Sequence, residues 1–244
     1  MITFFINAIK VIFLLGFLVL IHEGGHFLVA KLCKVKVNEF AIGFGPTIWK
    51  KQGKETKYAI RLIPLGGFVS MEGEEEPSDE EGSFSKASVL KRIAIVLAGG
   101  LVNIIFGVII YLVLASIVLG GIDLGFKSLL NFLLSMINSL KMLFTGKVFI
   151  DQLMGPIGIS TVVAETSGIQ DFIYLLSLIS VSLGVTNLLP VPPLDGGKIV
   201  MLIIEGVRKK PLKENFEIAL QMAGFMFFIG LSIYVAYNDI LRIF

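Results

Sequence analysis

Cysteine is nearly absent. Cys33 is the only one in 244 residues, so no intrachain disulfide can form and a disulfide-stapled scaffold is excluded. Histidine is scarce as well, with two in the chain. Charge is thin: 16% of residues are Asp, Glu, Lys or Arg, against about 25% in an ordinary soluble domain. That excludes a disordered chain and a nucleic-acid-binding domain. The formal net charge of +2 is too small to argue for a polyanionic partner. What is abundant is apolar: 55% of residues are hydrophobic and the mean hydropathy is +0.86. One soluble core of this size cannot enclose that much apolar surface, which points to an integral membrane protein whose solvent is the lipid bilayer.

Four segments are long enough to span it, at about 20 residues each: Val11 to Ala30, Ile93 to Gly120, Phe172 to Pro190 and Ile218 to Tyr237. The last three carry no charged residue. The first contains His22, Glu23 and His26 and lacks a small-residue cleavage site after it, so it reads as a retained span, not a signal peptide. Lys and Arg concentrate between spans one and two and between spans three and four. By the positive-inside rule these loops are cytoplasmic and both termini face out, as in a multi-pass membrane protein.

Between spans two and three, Ser128 to Phe144 places Ser128, Asn131, Ser135, Asn138 and Ser139 at helical spacing. It reads as an amphipathic helix on the outer surface. Between spans one and two, Val35 to Phe40, Thr47 to Lys51, Tyr58 to Ile63 and Phe68 to Met71 read as short strands bounded by Gly and Pro. They make a small sheet at the cytoplasmic face, membrane-associated, over residues 35–71. The acidic run Glu72 to Glu81 reads as a solvated loop. The expected fold class is therefore all-α and membrane-embedded, with four transmembrane helices, a β region after the first and an amphipathic helix after the second, forming one domain over 1–244.

The chemistry is concentrated in His22-Glu23-Gly24-Gly25-His26, an H-E-x-x-H pattern that uses every histidine of the chain. Residues i and i+4 of a helix share a face, so both imidazoles point one way and suit a tetrahedral zinc ion. Glu23 is the candidate general base for a water that the zinc activates. Ionisable groups inside a membrane are costly and are usually functional; the bland account is a polar cluster that holds helices together. His26 lies roughly 6 Å from the cytoplasmic end of the span, counting 1.5 Å per residue. The site is shallow, and water reaches it from that side.

A catalytic zinc takes three protein ligands. With no third histidine, the third is a carboxylate or Cys33. Asp195 is the more suggestive, because Pro190, Pro192 and Pro193 break the helix just before it, and broken helices at membrane depth line cavities. Its bland reading is a turn residue before two glycines. Asn103 and Asn187 are polar residues in apolar spans. Either can bond a neighbouring helix; Asn187, which precedes the broken segment, is also a candidate to hold substrate or an oxyanion.

Together these residues resemble the site-2 protease family of intramembrane zinc metalloproteases, most closely its bacterial RseP-type branch. The resemblance covers nearly the whole chain. It runs through His22 to His26, Glu39 to Gly45, Ile63 to Val69, Ala98 to Asn103, Gly155 to Gly158, Asn187 to Gly197 and Asn238-Asp239. It implies that His22, His26 and Asp195 bind Zn2+, that Glu23 is the catalytic base and that Asn187 positions substrate. The implied substrates are single-pass transmembrane proteins, such as anti-sigma factors or remnant signal peptides. One departure stands out. RseP-type enzymes carry PDZ domains between spans two and three, whereas the residues from Gly120 to Asp171 number about 50, too few for one beside the amphipathic helix. Gly99-Gly100 also stands where family members often show Gly-Pro. The competing function is a metal-ion transporter or carrier using the same His and Asp residues; four spans without inverted repeats argue against it.

Overall fold

A computed structural model describes residues 2–147, 155–166 and 168–243. Along these residues the order is α1 (Ile2–Leu32), β1 (Val37–Gln52), β2 (Lys57–Met71), α2 (Val89–Leu119), α3 (Ile122–Phe144), α4 (Pro156–Glu165), α5 (Ile169–Asn187), α6 (Asp195–Arg208) and α7 (Glu214–Ile243). Four stretches are long and apolar enough to cross a membrane: Phe5–Leu32, Val89–Leu119, Ile169–Asn187 and Asn215–Arg242. These are the four expected spans with shifted ends. The first helix begins at Ile2, not Val11, and runs through Lys10, whose ammonium donates to the Thr166 carbonyl oxygen at 3.3 Å. The third stops at Asn187, not Pro190, because proline offers no N–H to continue the helix and disfavours helical backbone before it.

The four expected short strands are halves of two long bent ones. β1 pairs antiparallel with β2, with shifts of register along the ladder. Glu39 to Ile42 have partners on both sides: Ser70 to Gly67 on one, Lys57 to Ile60 on the other. The outer half of β1, Thr47 to Gln52, pairs back onto Arg61 to Lys57. Gly43, at φ +86°, lies where the strand bends; a side chain there would meet the Ile63 carbonyl oxygen at 2.6 Å. Glu39 ties the bend by accepting hydrogen bonds from Lys57 (2.9 Å) and Arg61 (2.7 Å).

The chain forms two compact units. One comprises Ile12–Ile104 and Leu183–Gly224. Its apolar core gathers Ala30, Val35, Val37, Met71, Phe84, Ile95, Val96 and Leu202, so the end of α1, both strands, the start of α2 and α6 share one cluster. Here α2 and α5 meet backbone to backbone, because a Cβ on Gly184 would lie 2.4 Å from the Gly100 carbonyl oxygen. Small residues allow that approach between apolar helices.

The other unit comprises Met1–Val11, Ile105–Ser182 and Phe225–Phe244. It holds the expected amphipathic helix, which starts at Ile122, six residues earlier than expected. Its Leu129 and Phe132 are buried while Leu130, Leu134 and Ile137 are exposed. Phe132 stacks on Tyr111 with ring centres 4.3 Å apart. The short α4 was not anticipated, being too brief for a periodic signal. Proline fits its first turn, and the wholly buried Asp239 accepts hydrogen bonds from the N–H groups of Gly155 (2.9 Å) and Gly158 (2.8 Å). A carboxylate satisfies the orphan donors of a helix start and complements its dipole.

Hydrogen bonds to a charged group contribute about 1.5–3 kcal/mol. Asp239→Ala is therefore expected to lower the thermal unfolding midpoint of the detergent-purified protein, with Asp239→Asn, which keeps an acceptor oxygen, falling between. Equal midpoints for all three proteins would remove the carboxylate from any role in holding α4.

Candidate active site

His22 and His26 lie one helical turn apart on α1 and are buried, with 8% of each exposed. Their Nε2 atoms are 3.2 Å apart and the rings stand edge to face at 84°. Asp195 comes from the far side of the proline-broken segment. Its Oδ2 lies 3.2 Å from His22 Nε2 and 3.4 Å from His26 Nε2. The structure thus brings together the two histidines and the suggested third ligand. Cys33 instead packs against the apolar cluster.

The spacing of the three atoms fits zinc. Zinc bonds nitrogen and oxygen at roughly 2.0–2.2 Å, and corners of a tetrahedron of radius ~2.0 Å are about 3.3 Å apart. Two further observations agree. The His26 Nδ1–H donates to the Ile95 carbonyl oxygen at 2.8 Å; a carbonyl only accepts, so Nε2 keeps its lone pair for the cluster. Asp195 Oδ2 is buried and satisfies no hydrogen-bond geometry, as expected of an oxygen whose partner is a cation.

Local sequence explains how the groups are held. Asp195 opens α6 instead of sitting in a turn. The glycines after it let that first turn press on the proline segment: a Cβ on Gly196 would lie 2.2 Å from the Leu189 carbonyl oxygen, and one on Gly197 2.5 Å from the Pro192 nitrogen. On the opposite side, α2 passes so close that a Cβ on Gly99 would meet His26 Nε2 at 2.3 Å and His22 Cε1 at 2.8 Å. Gly99 was noted in the sequence only as part of a motif. Its role is visible once α2 is placed against the imidazoles.

A cavity of about 170 Å³ contains the cluster. Glu23 lines it beside His22, His26 and Asp195. So do Phe68, Val69 and Met71 of β2, and Glu74 and Lys198, which pair with each other at 2.7 Å. Lys198 and Glu74 had no assigned part in the sequence reading. The β2 strand crosses close to Glu23: a Cβ on Gly67 would lie 3.4 Å from Glu23 Cγ. Asn187 is the last residue of α5, half-buried, and is absent from the cavity wall, as is the wholly buried Asn103 of α2.

The chain is similar to known proteins. The family model described as Peptidase family M50 matches residues 10–231. A protein of Clostridium acetobutylicum, named provisionally as a zinc metalloprotease, is 28% identical over 97% of this chain and 98% of its own. A counterpart in Fusobacterium nucleatum with a similar name is 27% identical over 95% and 97% of the two chains. The zinc metalloprotease RasP of Shouchella clausii is 38% identical over 128 residues, 52% of this chain and 31% of RasP. The alignment with the Clostridium protein runs over 331 positions, more than the 244 residues here, so that relative carries residues this chain lacks.

The glycines of the site are not equivalent. A Cβ on Gly24 would meet nothing within 4 Å, whereas one on Gly25 would lie 2.7 Å from the Ala98 carbonyl oxygen. Gly24→Ala should therefore retain the zinc content of the purified wild-type protein, and Gly99→Ala should lose most of it. Metal analysis by mass spectrometry checks this. Full zinc in Gly99→Ala would mean the imidazoles do not hold the metal in this geometry.

Proposed function

This chain belongs to Peptidase family M50 and is a membrane-embedded metalloprotease of the site-2 type; from that premise we propose that it cuts the transmembrane segments of single-pass membrane proteins, anti-sigma factors and remnant signal peptides among them. The observation that carries the reading is the H-E-x-x-H pair inside an apolar helix, converging with Asp195 on a cavity that Glu23 also lines. In this reading the chain acts as one membrane domain without a PDZ domain, in the inner membrane, with both termini outside and the cavity near the cytoplasmic face.

His22 Nε2, His26 Nε2 and an Asp195 carboxylate oxygen are the proposed ligands of a zinc ion. Zinc bound there supplies Lewis acidity, polarising the scissile carbonyl and making the attacking water more acidic. Glu23 holds that water and accepts its proton as the new C–O bond forms, then passes the proton to the departing amine as the C–N bond breaks. Ile95 fixes the His26 ring through its carbonyl, and Gly99 leaves room for both rings.

The substrate's own helix must open first, because its carbonyls are bonded within it. Gly67 to Ser70 of β2 pair with β1 on one side, and among the described residues no strand covers the other. An opened substrate adds to that free edge as a strand, which places its backbone alongside Glu23. Asn187 is assigned to substrate from its sequence position, at the entrance to the broken segment.

Glu23→Gln is expected to keep its zinc and to lower cleavage of a transmembrane reporter by about 10²–10⁴, the range of general-base catalysis. Reporters whose helix-weakening residues are replaced by leucine should be cut more slowly by the wild type. An active Glu23→Gln enzyme would refute the assignment. A zinc-loaded wild type that moves metal across vesicles but cuts no reporter would favour the transporter reading.

A further inference from the structure

Beside the catalytic cavity lies a larger one of about 650 Å³, within the usual range of ligand sites. The two share Phe68, Val69, Met71, Glu74 and Lys198. Ser70 lines the larger one alone. The same stretch of β2 therefore runs from one cavity along the other. The larger cavity is acidic. Among the described residues Lys198 is its one lining cation, and Glu74 already neutralises it at 2.7 Å. Glu75, Glu76 and Glu217 also line it, and none of them lies in an ion pair with a described residue. Three uncompensated carboxylates in one concave wall focus a negative potential there.

We propose that this acidic cavity reads the substrate: it receives a basic segment flanking the scissile bond, and so selects single-pass proteins with Lys or Arg close to the cut. The inference rests on the proteolytic reading above and adds the substrate's charge to it. Gly67 lies beside Glu23 and Ser70, three positions further along β2, lines only the larger of the two cavities, so a substrate strand paired along β2 sends side chains into the acidic cavity within a few residues of the reacting carbonyl. Membrane proteins are rich in Lys and Arg at their cytoplasmic flanks, so segments of this composition are available. The acidic loop, which the sequence suggests is merely solvated, thereby becomes one wall of the substrate path.

The test uses the full-length, zinc-loaded protein in detergent, where substrate topology cannot change. Three versions of one transmembrane reporter carry three lysines, three glutamines or three glutamates beside the cut. Each exposed charge pair is worth a factor of about 1.5–5. The lysine flank should therefore exceed the glutamine flank by about tenfold in kcat/KM, with the glutamate flank lowest, and the differences should shrink as salt is raised. The combined variant Glu75→Lys, Glu76→Lys, Glu217→Lys should reverse the order. That ratio does not depend on how much of the variant is folded. Equal kcat/KM for the three flanks, or an unreversed order, would overturn the charge-reading role and leave proteolysis standing. Calcium inhibiting all three flanks alike, with no preference among them, would assign the carboxylates to a divalent cation and overturn it too. Cleavage of none of the three would overturn the proteolytic reading, and this one with it.

Discussion

Asp195 brings a carboxylate within 3.4 Å of two imidazoles carried by an apolar helix. Removing a carboxylate from water costs several kcal/mol unless partners restore what water supplied, and Asp195 Oδ2 has no hydrogen-bond partner. A cation held among the three groups, as proposed above, would offset that cost, and much of the surrounding architecture keeps them within 3.4 Å of one another. The proline segment turns the chain so that α6 begins at the carboxylate. Gly196 and Gly197 let the first turn of α6 settle on that segment, and Gly99 lets α2 close over the rings. These contacts are between backbones, or between backbone and ring. They leave no room for a methyl group, so they fix position more tightly than a flexible apolar core would.

Much of this was legible in the sequence because it depends on local pattern. Span lengths follow from runs of apolar residues, and the shared face of His22 and His26 follows from helical spacing. The prolines before Asp195 announced a break in the helix. What the sequence could not supply was the partner surface. Gly99 and Gly100 look alike in a string of letters, yet one faces the imidazoles and the other faces α5. The bland alternative for Asp195, a turn residue before two glycines, rests on the poor helix propensity of glycine; packing against the proline segment overrides that preference and starts α6 there.

The sheet and the short helix were harder to read for different reasons. Strand propensity located the four β segments. It could not show that Glu39 to Ile42 pair on both sides, since pairing of residues far apart in the chain leaves no local mark. α4 has only ten residues, and the contact that secures its start comes from Asp239, over 80 positions later. The two ends of that contact were each visible as a motif, but nothing in either one named the other.

The proposed ligands also stand far apart in the order of synthesis. His22 and His26 are made among the first tenth or so of the residues, and Asp195 arrives only after most of the chain has been polymerised. Until then the two imidazoles lack their carboxylate, and the first helix can sit beside other nascent apolar segments in the insertion machinery without a completed metal site. The fold thus contains its own delay. A chain interrupted before α6 would carry both imidazoles without the carboxylate that the proposed metal site needs.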